Sequence, residues 1–349
     1  MTRKYIIWLA GAALCSACQT QPKAPGALQP VVITEQVVHD TDDPAIWINP
    51  ADTLQSLIIG TDKDSDGALY AFDLNGKIVR KTARLQRPNN VDIAYGLLLG
   101  GQRVDVAVVT ERETNKLRVF RLPGLEAIDN GGIPVFEGEA ERAPMGVALY
   151  TRPADTAIFA IVGRKSGPVN NYLWQYRLQD DGQGHVTGAL VRKFGQYSGK
   201  KEIEAIAVDN ALGYVYCSDE TVGIRKYNAN PDDTAAAGLA LFGTTGFASD
   251  HEGISIYPLT DSTGYILVSN QQANTFMVFP REGAAGNPHQ HTLLAEVPVS
   301  TVESDGSEVT PVALGPRFPK GMLVAMSNGK VFHYYSWSDM EAKIRQQLP

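Results

Sequence analysis

Carboxylates recur in this chain of 349 residues at one kind of place, immediately ahead of a short apolar run. Asp42 and Asp43, Asp92, Glu204, Asp250 and Glu252 stand at such entrances, and Asp305 and Glu308 precede a sixth. The runs that follow exit through Lys63, through Glu111 and Arg112, through Arg164 and Lys165, and through Asp219 and Glu220. If the entrance run and the exit run are antiparallel neighbours, these side chains gather at one sheet edge. Two carboxylates about 4 Å apart repel by about 4 kcal/mol at an effective dielectric near ~20, so a large gathering must protonate, spread out or bind cations. Oxygen ligands without histidine select a hard cation, and calcium, which takes about six to eight of them, fits better than zinc. Asn89 and Asn90 add neutral oxygens beside Asp92, while His251 alternates to the other side of its strand and reads as structural. Any one of these residues alone reads as a solvated loop end. Their recurrence, with lysine and arginine set apart from the acids, describes a site for a multiply charged anion such as phosphate.

Such a gathering needs a scaffold that presents the same strand end again and again. An aliphatic or aromatic residue, two residues, then an aromatic recurs at Leu69 to Phe72, Leu117 to Phe120, Leu173 to Tyr176, Ile224 to Tyr227, Phe276 to Phe279 and Val331 to Tyr334. The closing aromatics are 48, 56, 51, 52 and 55 residues apart. A strand precedes each phrase, from Leu57 to Gly60 in the first copy to Gly321 to Ser327 in the last. Ahead of those lie Pro44 to Ile48, Val91 to Tyr95, Gly146 to Tyr150, Ala205 to Val208, Gly253 to Tyr257 and Pro311 to Leu314. These strands and one more per period predict an all-β fold, a six-bladed β-propeller of antiparallel blades around a central channel. A pair of β-sandwiches is the alternative, but it has no need of a sixfold strand order. Val31 to Thr34 reads as an edge strand completing the last blade, and Ser336 to Gln347 as a short C-terminal helix.

The ends of the chain and its charge bound what else it does. Thr2-Arg3-Lys4, an apolar stretch from Tyr5 to Ala13 and small residues at Ser16-Ala17 predict a secretory signal over 1–18. Ser16-Ala17-Cys18 also matches the end of a lipobox, with Cys15 where leucine is usual, so a lipid anchor at Cys18 and plain cleavage both stay open. The expected locations are the periplasm, an outer-membrane anchor or the medium. Residues 19–30, rich in proline, read as a tether, and 31–349 as the propeller domain. Removing the leader takes away Arg3 and Lys4 and no acid, so the charge falls from −7 to −9, which argues against nucleic acid as a partner. Cys217 then stands alone and makes no disulfide framework. Asp62-Lys63-Asp64-Ser65-Asp66-Gly67 matches the opening of an EF-hand loop, with Asp73 at its twelfth position, but strands and not helices bracket it, so it reads as an acidic hairpin.

Asp42-Asp43-Pro44-Ala45-Ile46-Trp47 and Asn89-Asn90-Val91-Asp92-Ile93, at this separation, resemble the two signature motifs of the β-propeller phytases, calcium-dependent 3-phytase-like enzymes with six blades. The likeness runs on through Glu204, Asp219-Glu220, Asp250-His251-Glu252-Gly253 and Leu314-Gly315-Pro316, and so covers about residue 35 to 345. It implies a phosphomonoester hydrolase that releases phosphate from phytate (myo-inositol hexakisphosphate) or other inositol polyphosphates bound as calcium complexes. A calcium-bridged water would attack phosphorus directly, with several calcium ions as cofactor and the protein a monomer. By the same resemblance Asp43, Glu204, Glu220, Asp250, Glu252 and Asp305 would hold calcium at the catalytic site, and Asp42 and Asp92 structural or bridging ions. Lys63, Arg112 and Lys165 would grip phosphate oxygens, with Arg164 competing with Lys165. Glu220, Lys63, Arg112, Lys165 and Asp305 form the implied catalytic set. The chain departs from the pattern at Ala94, where arginine commonly stands, and at Met145, where a substrate-facing tyrosine is common. The absence of G-x-S-x-G, H-E-x-x-H and any Cys–His pair suits a mechanism without a protein nucleophile. The alternatives are a calcium-dependent lactonase or organophosphatase propeller, which would want an apolar pocket and no basic trio, and a non-catalytic exported binding propeller.

Overall fold

Runs of branched and aromatic residues, broken every few positions by Gly, Asp, Asn or Pro, let each period bury itself as a small antiparallel sheet stacked on the next. The computed structural model, which describes residues 26–233 and 238–348, contains six such sheets. Each has four strands except the second, which carries a short fifth. We number them blades I to VI in chain order. Their innermost strands are Thr41–Trp47, Pro88–Leu99, Pro144–Thr151, Ile206–Asp209, His251–Pro258 and Ser307–Thr310. The second strands are Leu57–Asp62, Gln102–Glu111, Ile158–Arg164, Tyr214–Asp219, Gly264–Asn270 and Met322–Ser327, and the recurring aromatic phrases form the third. Innermost strands touch in sequence around a central channel, and blade VI returns to blade I. The fold is the six-bladed propeller expected from the repeat.

The core is divided in six. One apolar cluster fills each gap between neighbouring blades, for example Ala45, Ile59 and Leu69 of blade I against Val91, Val109 and Phe120 of blade II. Second strands are covered on both faces, which explains why Leu57–Asp62, Ile158–Arg164 and Met322–Ser327 are buried along their whole length. Cys217 lies buried in the gap between blades III and IV as a free thiol. Between blades VI and I, Phe332 meets Phe72 edge to face with ring centroids 5.8 Å apart, and its ring leaves Gly60 no room for a Cβ. The ring is closed by the N-terminal strand: Val32–Ile33 is the outermost strand of blade VI, with Val32 opposite Tyr334 and Ile33 opposite His333. Just before it, within the stretch expected to be a tether, Leu28 donates its amide to Pro298 and accepts from Ser300, each at 2.9 Å.

The C-terminal helix, Trp337–Arg345, starts after Ser336 and stacks Trp337 on Tyr257 at 3.6 Å between ring centroids. Among the described residues no helix is long and apolar enough to cross a membrane. The expected signal and Cys18 lie outside the described residues. Asp62, the start of the EF-hand-like match, accepts the amides of His39 (3.0 Å) and Asp40 (2.7 Å), and Gly67 closes a turn on Asp64, so the match is a hairpin. One strand differs from expectation. The innermost strand of blade VI is Ser307–Thr310 and not Pro311 to Leu314, because Pro311 has no amide to donate and ends the ladder. Glu308 is thereby drawn inside the channel instead of guarding its entrance. Phe332→Ala, which empties the gap where the ring closes, should cost about 3–5 kcal/mol, seen as a lower denaturant midpoint at unchanged slope.

Candidate active site

At the entrance of four innermost strands the ladder slips by one residue. Thr41 pairs with Asp62 and Pro44 with Gly60, so Asp42 and Asp43 together face Thr61, and the same bulge recurs at 89–90, 145–146 and 252–253. A bulge puts two residues where the pleat has room for one and re-aims their side chains. The registers of the blades make Asp42, Asn89, Met145, Glu204, Glu252 and Asp305 equivalent, one from each blade around the channel mouth. The second-strand exits form another set. Lys63, Arg112, Lys165, Glu220 and Gln271 each donate their amide back to the residue leading into the innermost strand: Asp40, Arg87, Ala143, Glu202 and Asp250. All these residues therefore lie on one face. Blades I to III supply cations to it, and blade IV with its neighbour V supplies acids.

The acidic arc is crowded. Carboxylate oxygens of Glu202, Glu204 and Glu220 lie within 4.8 Å of one another, as do those of Glu220, Asp250 and Glu252. Glu204, Glu220, Asp250 and Glu252 are buried, Glu220 wholly so, and Glu202 is half-buried. Burial pushes the Glu220 carboxyl up to about 8, and it also raises Glu204 and Glu252, the latter further because Glu204 and Glu220 stand beside it. Asp250 sits below its ordinary value, since hydrogen bonds from Lys201 and Gln272 outweigh its burial. Lys201 sets its ammonium 2.7 Å from Glu220 and 2.8 Å from Asp250. Across the mouth Asn89 donates to Asp42 at 3.0 Å and to Glu204, tying blade I to blade IV. Glu220 Oε1 and Glu252 Oε2 are buried with no donor among the described residues. A buried, all-oxygen set with orphaned acceptors fits a hard divalent cation.

The basic arc is half neutralised. Lys63 is paired with Asp42 and, at 3.3 Å, with Asp305, while Lys165 is paired with Glu202. Arg112 lies against the sulfur of Met145, and among the described residues no acid is within salt-bridge reach of it. Its Nε and that of neighbouring Arg87 are buried without an acceptor. Arg87 is held at φ 59 just ahead of Pro88, a left-handed backbone that non-glycine residues seldom adopt.

Three residues expected at the mouth, Asp92, Asp43 and Arg164, are not there. Asp92 faces down the channel, where its oxygens accept the amides of Ile93 and Leu149, both at 2.6 Å, and burial lifts its carboxyl to about 6. Asp43 accepts from Val91 at 3.0 Å and lines the same channel with Asp92 and Glu308. Arg164 is fully buried, its guanidinium 4.6 Å from the Phe136 ring and 3.3 Å from Glu139, so Lys165 alone of that pair reaches the opening. The remaining acids, Asp42, Glu204, Glu220, Asp250, Glu252 and Asp305, are brought together with Lys63, Arg112 and Lys165. Glu202, Lys201, Arg87 and Gln272 join them unforeseen. Glu202 was readable as the i−2 partner of Glu204 on an extended segment, but the others follow no period.

Fold and mouth together define a class: a six-bladed propeller with a nest of carboxylates and an arc of basic side chains on one face. Comparison with known proteins narrows it. The chain matches the family described as Phytase over residues 10–334. It is 30% identical to the 3-phytase of Bacillus subtilis (strain 168) over 317 residues, 86% of this chain and 80% of that protein. Among solved structures it is similar to the Dos1 propeller, with TM-score 0.45 and 14% identity over 85% of this chain and 67% of that one. It is also similar to a chain of a mitotic checkpoint complex, with TM-score 0.49 and 8% identity over 96% and 99%. The chain belongs to the phytase family.

The raised carboxyls fix a pH dependence. A native state that holds protons the unfolded chain has released is stabilised below the unfolded pKa and loses that advantage as pH rises through the folded one. In chelator the metal-free protein should therefore melt at progressively lower temperature from the ordinary glutamate value, 4.5, up through about 8 for Glu220. Thermal melts in EDTA across that window check it, and a flat or rising trend contradicts it.

Proposed function

We propose that this phytase hydrolyses phytate at the channel mouth, with calcium in the acidic arc and the basic arc holding the phosphates. The observation that carries the reading is the sorting of charge on structurally equivalent positions: Lys63, Arg112 and Lys165 in three consecutive blades, then Glu220 in the fourth. Glu202, Glu204, Glu220, Asp250 and Glu252 would hold the ions, with Asp42 and Asp305 at the edge of the set and Asp43 within the channel. When bound, calcium would acidify a water and neutralise charge on phosphate oxygens, which suits a direct in-line displacement. Lys63, Arg87, Arg112 and Lys165 would bind substrate oxygens and orient the scissile ester against the acidic arc. Lys63 and Lys165 are now held by Asp42, Asp305 and Glu202, so an ion that takes over those acids frees both ammonium groups for phosphate. Metal uptake and substrate binding are linked through these pairs. Water attack leaves no phosphoenzyme, and a phosphorylated protein trapped during turnover would contradict the mechanism.

The sorting of charge at the mouth favours phosphate over the lactonase alternative, for which the basic trio would be superfluous. Export and a monomeric state belong to the same proposal, with the chain's own N-terminal strand completing blade VI.

Phosphate release from phytate, measured with calcium titrated in and then chelated, tests the whole reading: activity should vanish with EDTA and return with calcium. Glu220→Ala should lower kcat by about 10²-fold or more with an unchanged circular dichroism spectrum. Arg87→Ala, which removes one charge-assisted contact of about 1.5–3 kcal/mol, should raise KM roughly tenfold or more with little change in kcat. Wild-type turnover in Glu220→Ala would refute its assigned role.

A further inference from the structure

We propose that Lys201 is a tethered cation that fills a calcium position of the acidic arc in the metal-free protein, and that it must be displaced before the ion enters. The inference rests on the calcium reading above and concerns how this chain sets its demand for the metal. Lys201 Nζ lies 2.7 Å from Glu220 and 2.8 Å from Asp250, two members of the trio completed by Glu252. An ammonium that bridges two carboxylates so closely takes the space an ion shared between them needs. Glu220 also belongs to the trio with Glu202 and Glu204, so Lys201 stands at the junction of both.

The neutralisation it gives is partial. One positive charge faces three carboxylates, and Glu220 Oε1 and Glu252 Oε2 remain buried without a donor. A divalent ion serves the same acids better, because it brings twice the charge and further coordination sites. Displacement needs no backbone movement. The loop that carries Lys201 is pinned: Ser198 bonds Asp219 through its amide (3.1 Å) and hydroxyl (2.7 Å), and Tyr197 bonds the Lys201 carbonyl. The Lys201 side chain is 41% exposed, so the ammonium can swing outward into solvent while its Cα stays fixed. The cost of breaking these two ion pairs is subtracted from calcium affinity, so the chain carries a built-in competitor that raises the calcium concentration at which the arc fills.

The test is calcium titration by calorimetry into the EDTA-stripped, dialysed full chain and its Lys201→Gln, Lys201→Met and Lys201→Arg variants, with melting temperatures recorded in EDTA and in saturating calcium. Lys201→Gln and Lys201→Met should tighten one class of calcium sites by about tenfold or more. They should also melt lower than wild type in EDTA and level with it in calcium, while Lys201→Arg stays close to wild type. If a neutral variant unfolds without metal, refolding it in calcium and back-titrating with chelator yields the same affinity. Equal or weaker calcium binding in both neutral variants overturns the proposal while leaving the calcium reading intact. No calcium uptake by wild type or any variant sinks the calcium reading and this proposal with it.

Discussion

Repulsion among buried carboxylates is the constraint that the rest of this molecule is built to withstand. Five acids of blades IV and V sit with oxygens within 4.8 Å inside two overlapping trios, and burial makes the ionised forms of Glu204, Glu220 and Glu252 still costlier. Left to flexible loops they would move apart. Here they are fixed by strand entrances whose backbone amides and carbonyls are committed to ladders, and by blades locked together through six apolar interfaces. Closure by Val32–Ile33 matters for the same reason, because an open ring would let blades VI and I part and widen the mouth that Asn89 spans between Asp42 and Glu204. The stability of the propeller is thus invested in holding like charges at a distance that only a cation makes comfortable.

Sixfold repetition made the architecture legible before any coordinates. A phrase that recurs every 50 or so residues can hardly fold differently in each copy, and the strands fell where the apolar runs placed them. The one exception, the entrance strand of blade VI, turned on whether the ladder runs into Pro311 or stops before it, and the missing proline amide decides that. Parity along the strand could have separated Arg164 from Lys165. Arg164 shares its position with Asp62, Glu111 and Asp219, whose carboxylates are engaged by local amides, hydroxyls or arginine away from the channel. Lys165 shares its position with Lys63, Arg112 and Glu220, all at the mouth. The bulges were not legible, since nothing in Asp42-Asp43 announces that both residues oppose Thr61 alone, and so Asp43 and Asp92 could not be assigned to the channel interior. Lys201 and Arg87 were hidden for a different reason: each lies in a segment leading into a strand, where no period constrains the side chain.

Equivalent positions in a propeller begin with equivalent geometry, so chemistry on its face comes from making them unlike. At the mouth position four blades carry acids, blade II an amide and blade III Met145. The methionine matters for what it leaves undone. Arg112 rests on a neutral, polarizable sulfur and not on a carboxylate, and burial together with the nearby Arg87 holds its pKa below the ordinary arginine value. A guanidinium in that setting keeps its charge but has no anion of its own. Lys63 and Lys165 are in the opposite condition, each bound to an acid that a metal ion would claim. On the proposed function the basic arc is therefore of two kinds, one member ready for a phosphate and two that a metal ion in the acidic arc would release. On the proposed function Met145, by leaving Arg112 uncompensated, would let this mouth attract an anion before the lysines are free to bind it.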